Sequence, residues 1–176
     1  MSQEASKTDN CFYYFAYGSN LLDERIHLQI KSAEYVSTGV LLNHRLEFYD
    51  HGLRWMGAVA SVEQSKGDEV WGCVWHVPWS FSDELDKQES NYHRLDVNVK
   101  VENSTIVCRT YQYSNPNRQR KLPSPHYKLV IISGAIEHSL PSDYIKKLKA
   151  IKDNGYKGPI ALDLIVLKYL NSNTHD

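Results

Sequence analysis

Two short stretches of this sequence carry residue types that could do chemistry. In FAYGSNLL, residues 15–22, an aromatic and apolar run stops at Gly18, Ser19 and Asn20 before apolar residues resume. Glycine lets a backbone approach a ligand closely, and free N–H groups at a helix start bind anionic or carbonyl oxygen. Such donors suit a carboxylate or a developing oxyanion. The same residues also make an ordinary strand-to-helix turn, and residue type alone favours that simpler reading. Further along, LDKQES (85–90) sets Glu89 near the end of a short acidic helix, where the macrodipole disfavours ionisation. Burial would lift its pKa further, toward the range useful for proton shuttling. In solvent it would be one more helix charge beside Asp83, Glu84, Asp86 and Lys87.

Other chemistries find less support. His126 and His138 stand isolated, and no HxxxH or HExxH spacing occurs. His76 on a strand face reads as a partly buried side chain rather than a ligand. Cys11, Cys73 and Cys108 form no CxxC pair, and Cys73, within an apolar strand, reads as a small core residue. No GxSxG elbow, GxGxxG turn or P-loop is present. Neither a metal nor a cofactor is expected.

The elements that must position these residues form an irregular series. Residues 1–10 read as a disordered lead-in, and 11–176 as a single domain. CFYYFAY (11–17) has the continuous apolar pattern of a buried strand, followed by a short helix from about Leu21 with Asp23 in its first turn. Segments 35–42, 45–49 and 57–63 read as short strands separated by turns. DEVWGCVWHV (68–77) is the clearest strand, with Gly72 marking a bend or a close backbone approach. SFSDELDKQES reads as a short helix with a Ser80–Asp83 capping box, and strands are expected at 95–102 and 105–113. After a proline-rich loop holding Arg118, Arg120 and Lys121 comes an apolar segment, YKLVIISGAI. LPSDYIKKLKAIKDNG is then a helix with Pro141 in its first turn, a Tyr144–Leu148–Ile151 stripe and Gly155 as its stop. ALDLIVLKYL is ambiguous between helix and strand. Short strands with few interleaved helices imply an α+β fold with a mixed, strongly bent or closed sheet.

Bulk composition narrows the partners. The 176 residues carry 41% hydrophobic and 23% charged side chains with a net charge of -1, the profile of a globular domain. That charge gives no basic footprint for nucleic acid and no polybasic surface for a membrane. Three widely spaced cysteines fit a reducing compartment, MSQEASKTDN lacks signal-peptide character, and no stretch approaches a membrane span. A cytoplasmic protein with small-molecule or protein partners is expected.

In combination, FAYGSNLLDERIHL (15–28), GDEVWGCVWHV (67–77), LDKQE (85–89), PSPHYKLVIISGA and LPSDYIKKLKAI resemble the γ-glutamylcyclotransferase family. These stretches fall in order over about residues 12–157. The resemblance implies a compact barrel of mixed strands flanked by a few helices, often a homodimer. It also implies that Tyr17, Gly18, Ser19 and Asn20 cradle the glutamyl part of a small substrate and that Glu89 is the acid–base catalyst. Tyr92 and Tyr127 are carried over as substrate-binding tyrosines. The implied activity is a lyase-type cyclisation of γ-glutamyl amino acids to 5-oxoproline, a step of glutathione metabolism, also classed with acyl transfer. Two departures flank the catalyst: Ser90 replaces the family's usual glycine, and the Glu89–Tyr92 segment is short. Three alternatives stay open: the same chemistry on glutathione, whose enzymes typically read YGSL where this chain has Asn20; cyclisation of γ-glutamylamines; and a non-catalytic binding or regulatory protein on the same fold.

Overall fold

A computed structural model describes residues 10–168 and residue 170. The expected lead-in lies outside the described residues except for Asn10, whose carbonyl accepts the Trp79 N–H at 2.9 Å. Five strands close into a barrel: β1 (Cys11–Ala16), β2 (Glu34–Gly52), β3 (Gly57–Pro78), β4 (Tyr92–Lys100) and β5 (Thr105–Tyr113). Their order around the barrel is β1-β3-β2-β4-β5. All neighbouring pairs are antiparallel except β1 with β5, which run parallel at Tyr14 and Arg109 and close the barrel. Among the described residues, the α-helices that accompany it are α1 (Asp23–Ile26), α2 (Ser82–Gln88), α3 (Pro125–Glu137) and α4 (Ser142–Ala150). The expected α+β barrel is therefore the observed architecture.

The short strands expected at 35–42, 45–49 and 57–63 are parts of two long ones. β2 and β3 form one hairpin running from Glu34 opposite His76 to Gly52 opposite Gly57. The polar residues read as turns are irregularities within it. The register shifts between Leu42 and His44, where Asn43 takes φ 58° and its side-chain oxygen accepts the Gly67 N–H at 3.1 Å. An extra residue in the left-handed region bends a strand without ending it, and this bending lets a two-strand ribbon curl into the barrel. At Gly72 a Cβ would stand 2.2 Å from the Ala16 carbonyl, so close approach is the reason for that glycine.

Other expectations shift at element ends. The Ser80–Asp83 capping box does not form; Trp79–Phe81 makes a 3₁₀ turn, and α2 starts at Ser82 with no side-chain cap. YKLVIISGAI proves helical as part of α3. Ser124 caps it by accepting the Tyr127 N–H at 3.1 Å, and Pro125 opens its first turn. α4 buries Tyr144 and Leu148 but stops at Ala150, because Ile151 turns extended; Gly155 adopts φ 71° in the loop beyond. In the ambiguous tail, Ile165–Leu167 form one 3₁₀ turn that buries Leu167. Among the described residues no helix is long and apolar enough to cross a membrane.

Packing of α3 against the start of the chain sets up the site. Gly134 lies where a Cβ would come within 2.6 Å of the Leu21 and Leu22 backbone, so the helix sits directly against the segment after β1. Beside this contact, His138 bonds Asp23 at 2.7 Å, with Glu137 3.4 Å from the same ring nitrogen. His138 is thus isolated only in sequence; in space it joins α3 to α1.

Candidate active site

A cavity of about 210 Å³ opens where the end of β1, the β2–β3 turn, the end of α2 and the start of α3 converge. Tyr17, Gly18, Ser19, Asn20, Glu89, Tyr92 and Tyr127 all line it. Seven residues spread over 110 positions of sequence therefore share one pocket.

The turn after β1 is a single 3₁₀ turn, Ser19–Leu21, with Leu21 donating to the Gly18 carbonyl at 3.1 Å. The first N–H groups of such a turn have no partner within it, which leaves donors at the cavity edge. Gly18 has φ -112°, so its role is not a left-handed turn. A Cβ there would stand 3.2 Å from the Tyr127 hydroxyl and 3.8 Å from the Ala60 Cβ, occupying space at the cavity wall.

Asn20 is buried, and both ends of its amide are used inside the protein. It donates to the Tyr14 hydroxyl at 3.1 Å and accepts from the Gln88 side chain at 3.2 Å. Its side chain thus fixes the turn to α2 at the cavity wall. Tyr17 likewise spends its hydroxyl on the Tyr111 carbonyl, at 2.5 Å.

Tyr92 and Tyr127 converge on one residue of β3. β1 covers only residues 73–78 of that strand, so the edge near Ala60 lacks a strand partner on that side. The Tyr92 hydroxyl donates to the Ala60 carbonyl at 2.7 Å, and the Tyr127 hydroxyl accepts the Ala60 N–H at 3.2 Å. Tyr127 also stacks on Trp55 with centroids 4.8 Å apart, and burial pushes its pKa upward. Having accepted from Ala60, it keeps its own O–H proton available to the cavity.

Glu89 follows α2 directly. Its N–H donates to the Leu85 carbonyl at 3.1 Å, and its carbonyl accepts from Tyr92 N–H at 2.9 Å. The short Glu89–Tyr92 segment is thus a hydrogen-bonded turn that leads straight into β4, with Ser90 exposed beside it. Glu89 is half-buried at a cavity wall rich in aromatic rings. Burial pushes it up to about 7, against the opposing pull of the Arg25 and Arg54 charges. A carboxyl poised there can both accept and return a proton near neutral pH.

Sequence reasoning passed over several of the lining residues, chiefly Tyr14, Arg25, Arg54, Trp55 and Gln88. Arg25 belongs to the four-residue helix α1 and is buried, with its Nε unpartnered and its guanidinium 5.9 Å from the Trp55 ring. The signal available for Trp55 was a tryptophan in the short hairpin turn between Gly52 and Gly57. The basic loop, by contrast, is turned to the barrel wall: Arg118 pairs with Glu63 at 3.3 Å and Arg120 with Glu47 at 2.9 Å. Neither lines the cavity. The thiols of Cys73 and Cys108 are pushed up by burial, the latter to about 12, so neither is an activated nucleophile.

Comparison with known proteins places these features in context. The profile of the AIG2-like family matches residues 69–148. A γ-glutamylcyclotransferase from Bos taurus is 41% identical over 97% of this chain and 95% of its own length. One from Homo sapiens is 40% identical over 89% of this chain and 87% of its own. Among solved structures, a γ-glutamyl cyclotransferase superposes with a TM-score of 0.84 at 39% identity, covering 91% of this chain and 98% of that one.

Proposed function

Because the chain belongs to the γ-glutamylcyclotransferase family, we propose that it converts γ-glutamyl amino acids to 5-oxoproline and the free amino acid, with Glu89 moving the proton. The observation that carries this reading is Glu89 itself. Burial pushes its carboxyl up to about 7, and it lines one cavity together with the turn at Gly18, Ser19 and Asn20.

In this reaction the substrate's α-amino nitrogen attacks its own γ-carbonyl carbon. One C–N bond forms, closing a five-membered lactam, and the original amide C–N bond breaks. Holding the glutamyl chain folded turns proximity into rate. The ionised Glu89 takes a proton from the attacking ammonium, then returns it to the departing amine. Positioned acid–base catalysis of this kind contributes roughly 10²- to 10⁴-fold. The N–H groups of the Gly18–Asn20 turn receive the γ-carbonyl oxygen as it gains charge, where preorganised donors stabilise most. The Tyr127 O–H borders the same spot.

The proposal extends to a single domain over 11–176, a homodimer, and a cytoplasmic setting with no nucleic-acid or membrane partner. Sedimentation of the purified protein tests the dimer. For the reaction, incubation with γ-glutamyl-alanine should release 5-oxoproline and alanine in equal amounts. Absence of both would instead favour the binding-protein alternative.

A further inference from the structure

Ion pairing separates the arginines of this chain into two groups. Arg45, Arg94, Arg109, Arg118 and Arg120 each pair with a carboxylate. Arg25 and Arg54 pair with none among the described residues, and both line the same cavity. An arginine normally finds an anion where the fold offers one, so two unpaired guanidiniums around one cavity describe an anionic ligand.

Their placements differ. Arg25 is buried, and its bare Nε leaves a donor unsatisfied in the protein alone. Arg54 sits exposed on the turn between β2 and β3, at the outer rim. It spends one N–H on the Gln88 carbonyl at 3.3 Å, which holds the side chain over the residue preceding Glu89. The rest of its planar fork stays open to a ligand.

We propose that Arg54 binds the carboxylate of the leaving amino acid and makes the enzyme selective for γ-glutamyl amino acids over γ-glutamylamines. This rests on the reaction assigned above. A γ-glutamyl amino acid carries two carboxylates and one ammonium. The cavity answers with two guanidiniums and one carboxyl. Glu89 meets the ammonium, buried Arg25 meets the glutamyl carboxylate, and Arg54 at the rim meets the carboxylate of the departing residue. A γ-glutamylamine has no group for Arg54. The pull that both arginines exert on Glu89 fits their sharing one small space with it.

The test compares γ-glutamyl-alanine with γ-glutamyl-alanine amide, which differ in the single carboxylate. The wild type should favour the acid. Arg54→Gln should cut kcat/KM for the acid by roughly 10- to 100-fold, the scale of a charge-assisted hydrogen bond, and cut the amide far less. Arg54→Lys should recover part of the preference. Any effect of Arg54 on the Glu89 pKa acts on both substrates and cancels in the ratio. An acid-to-amide ratio unchanged in Arg54→Gln, with 5-oxoproline still produced, overturns the role of Arg54 alone. No 5-oxoproline from either substrate with the wild type overturns the reaction, and this role with it.

Discussion

The Gln88 side-chain amide donates to the Asn20 side-chain oxygen at 3.2 Å, across 68 positions of sequence. The residue just before Glu89 is thereby tied to the turn that lines the same cavity as Glu89. Both side chains are buried, so each relies on the other for satisfaction. Asn20→Ala leaves the Gln88 amide and the Tyr14 hydroxyl short of a partner. It should cost about 1–3 kcal/mol in urea unfolding, the penalty of an unmet buried polar group. In the folded fraction, kcat should fall more than affinity, because Glu89 loses its register against the turn. Unchanged kcat would show that this bridge does not position the catalyst.

Gly18 gives a complementary expectation. Its φ of -112° lies outside the left-handed region, and a Cβ would press on the Tyr127 hydroxyl and the cavity wall. Gly18→Val should therefore weaken substrate-analogue binding at least about tenfold while the protein stays folded. Calorimetric titration of the mutant checks this, and normal affinity would make Gly18 a turn residue only.

The raised pKa of Glu89 has a consequence for stability. A carboxyl at about 7 in the fold, against 4.5 as its ordinary value, stays protonated in the native state over the interval between them. The native state then binds the extra proton, so this group's contribution is full below 4.5 and is lost as pH rises through 7. Glu89→Gln has no such proton. Its stability relative to wild type should grow across that interval by on the order of 2–3 kcal/mol and then level off. Paired urea melts at pH 4.5 and pH 8 measure the change, and a flat difference would mean an unperturbed carboxyl.

Activity should follow the same group. Only ionised Glu89 can take the ammonium proton, so kcat/KM should rise through about pH 7. Arg25 is the stronger of the two charges that hold this pKa down. Arg25→Gln should move the inflection to higher pH, and a pH–rate profile of the mutant shows whether it does. Neutralising Arg118, Arg120 and Lys121 together should leave that profile and the substrate ranking unchanged, since Arg118 and Arg120 pair with Glu63 and Glu47 on the barrel wall.

What could be read from the sequence was what local pattern and residue identity carry. β1, the turn at Gly18, β5 and Glu89 at a helix end appear where the apolar runs and polar breaks put them. The β2–β3 hairpin was harder, because a bulge at Asn43 uses the same polar residues as a turn. YKLVIISGAI hid its helix because β-branched and apolar residues surround it on most sides, erasing the period. Arg25 and Arg54 were invisible for another reason. Their meaning lies in the absence of a carboxylate nearby, and only the three-dimensional arrangement shows which charges have partners.

Glu89→Gln turnover of γ-glutamyl-alanine, followed as 5-oxoproline released at pH 8, bears most directly on the assignment of Glu89. The substitution keeps the size and most hydrogen bonding of the side chain but cannot accept the ammonium proton. A folded mutant should lose roughly 10²-fold or more in kcat while binding substrate only modestly more weakly. A wild-type rate in that folded mutant would contradict it.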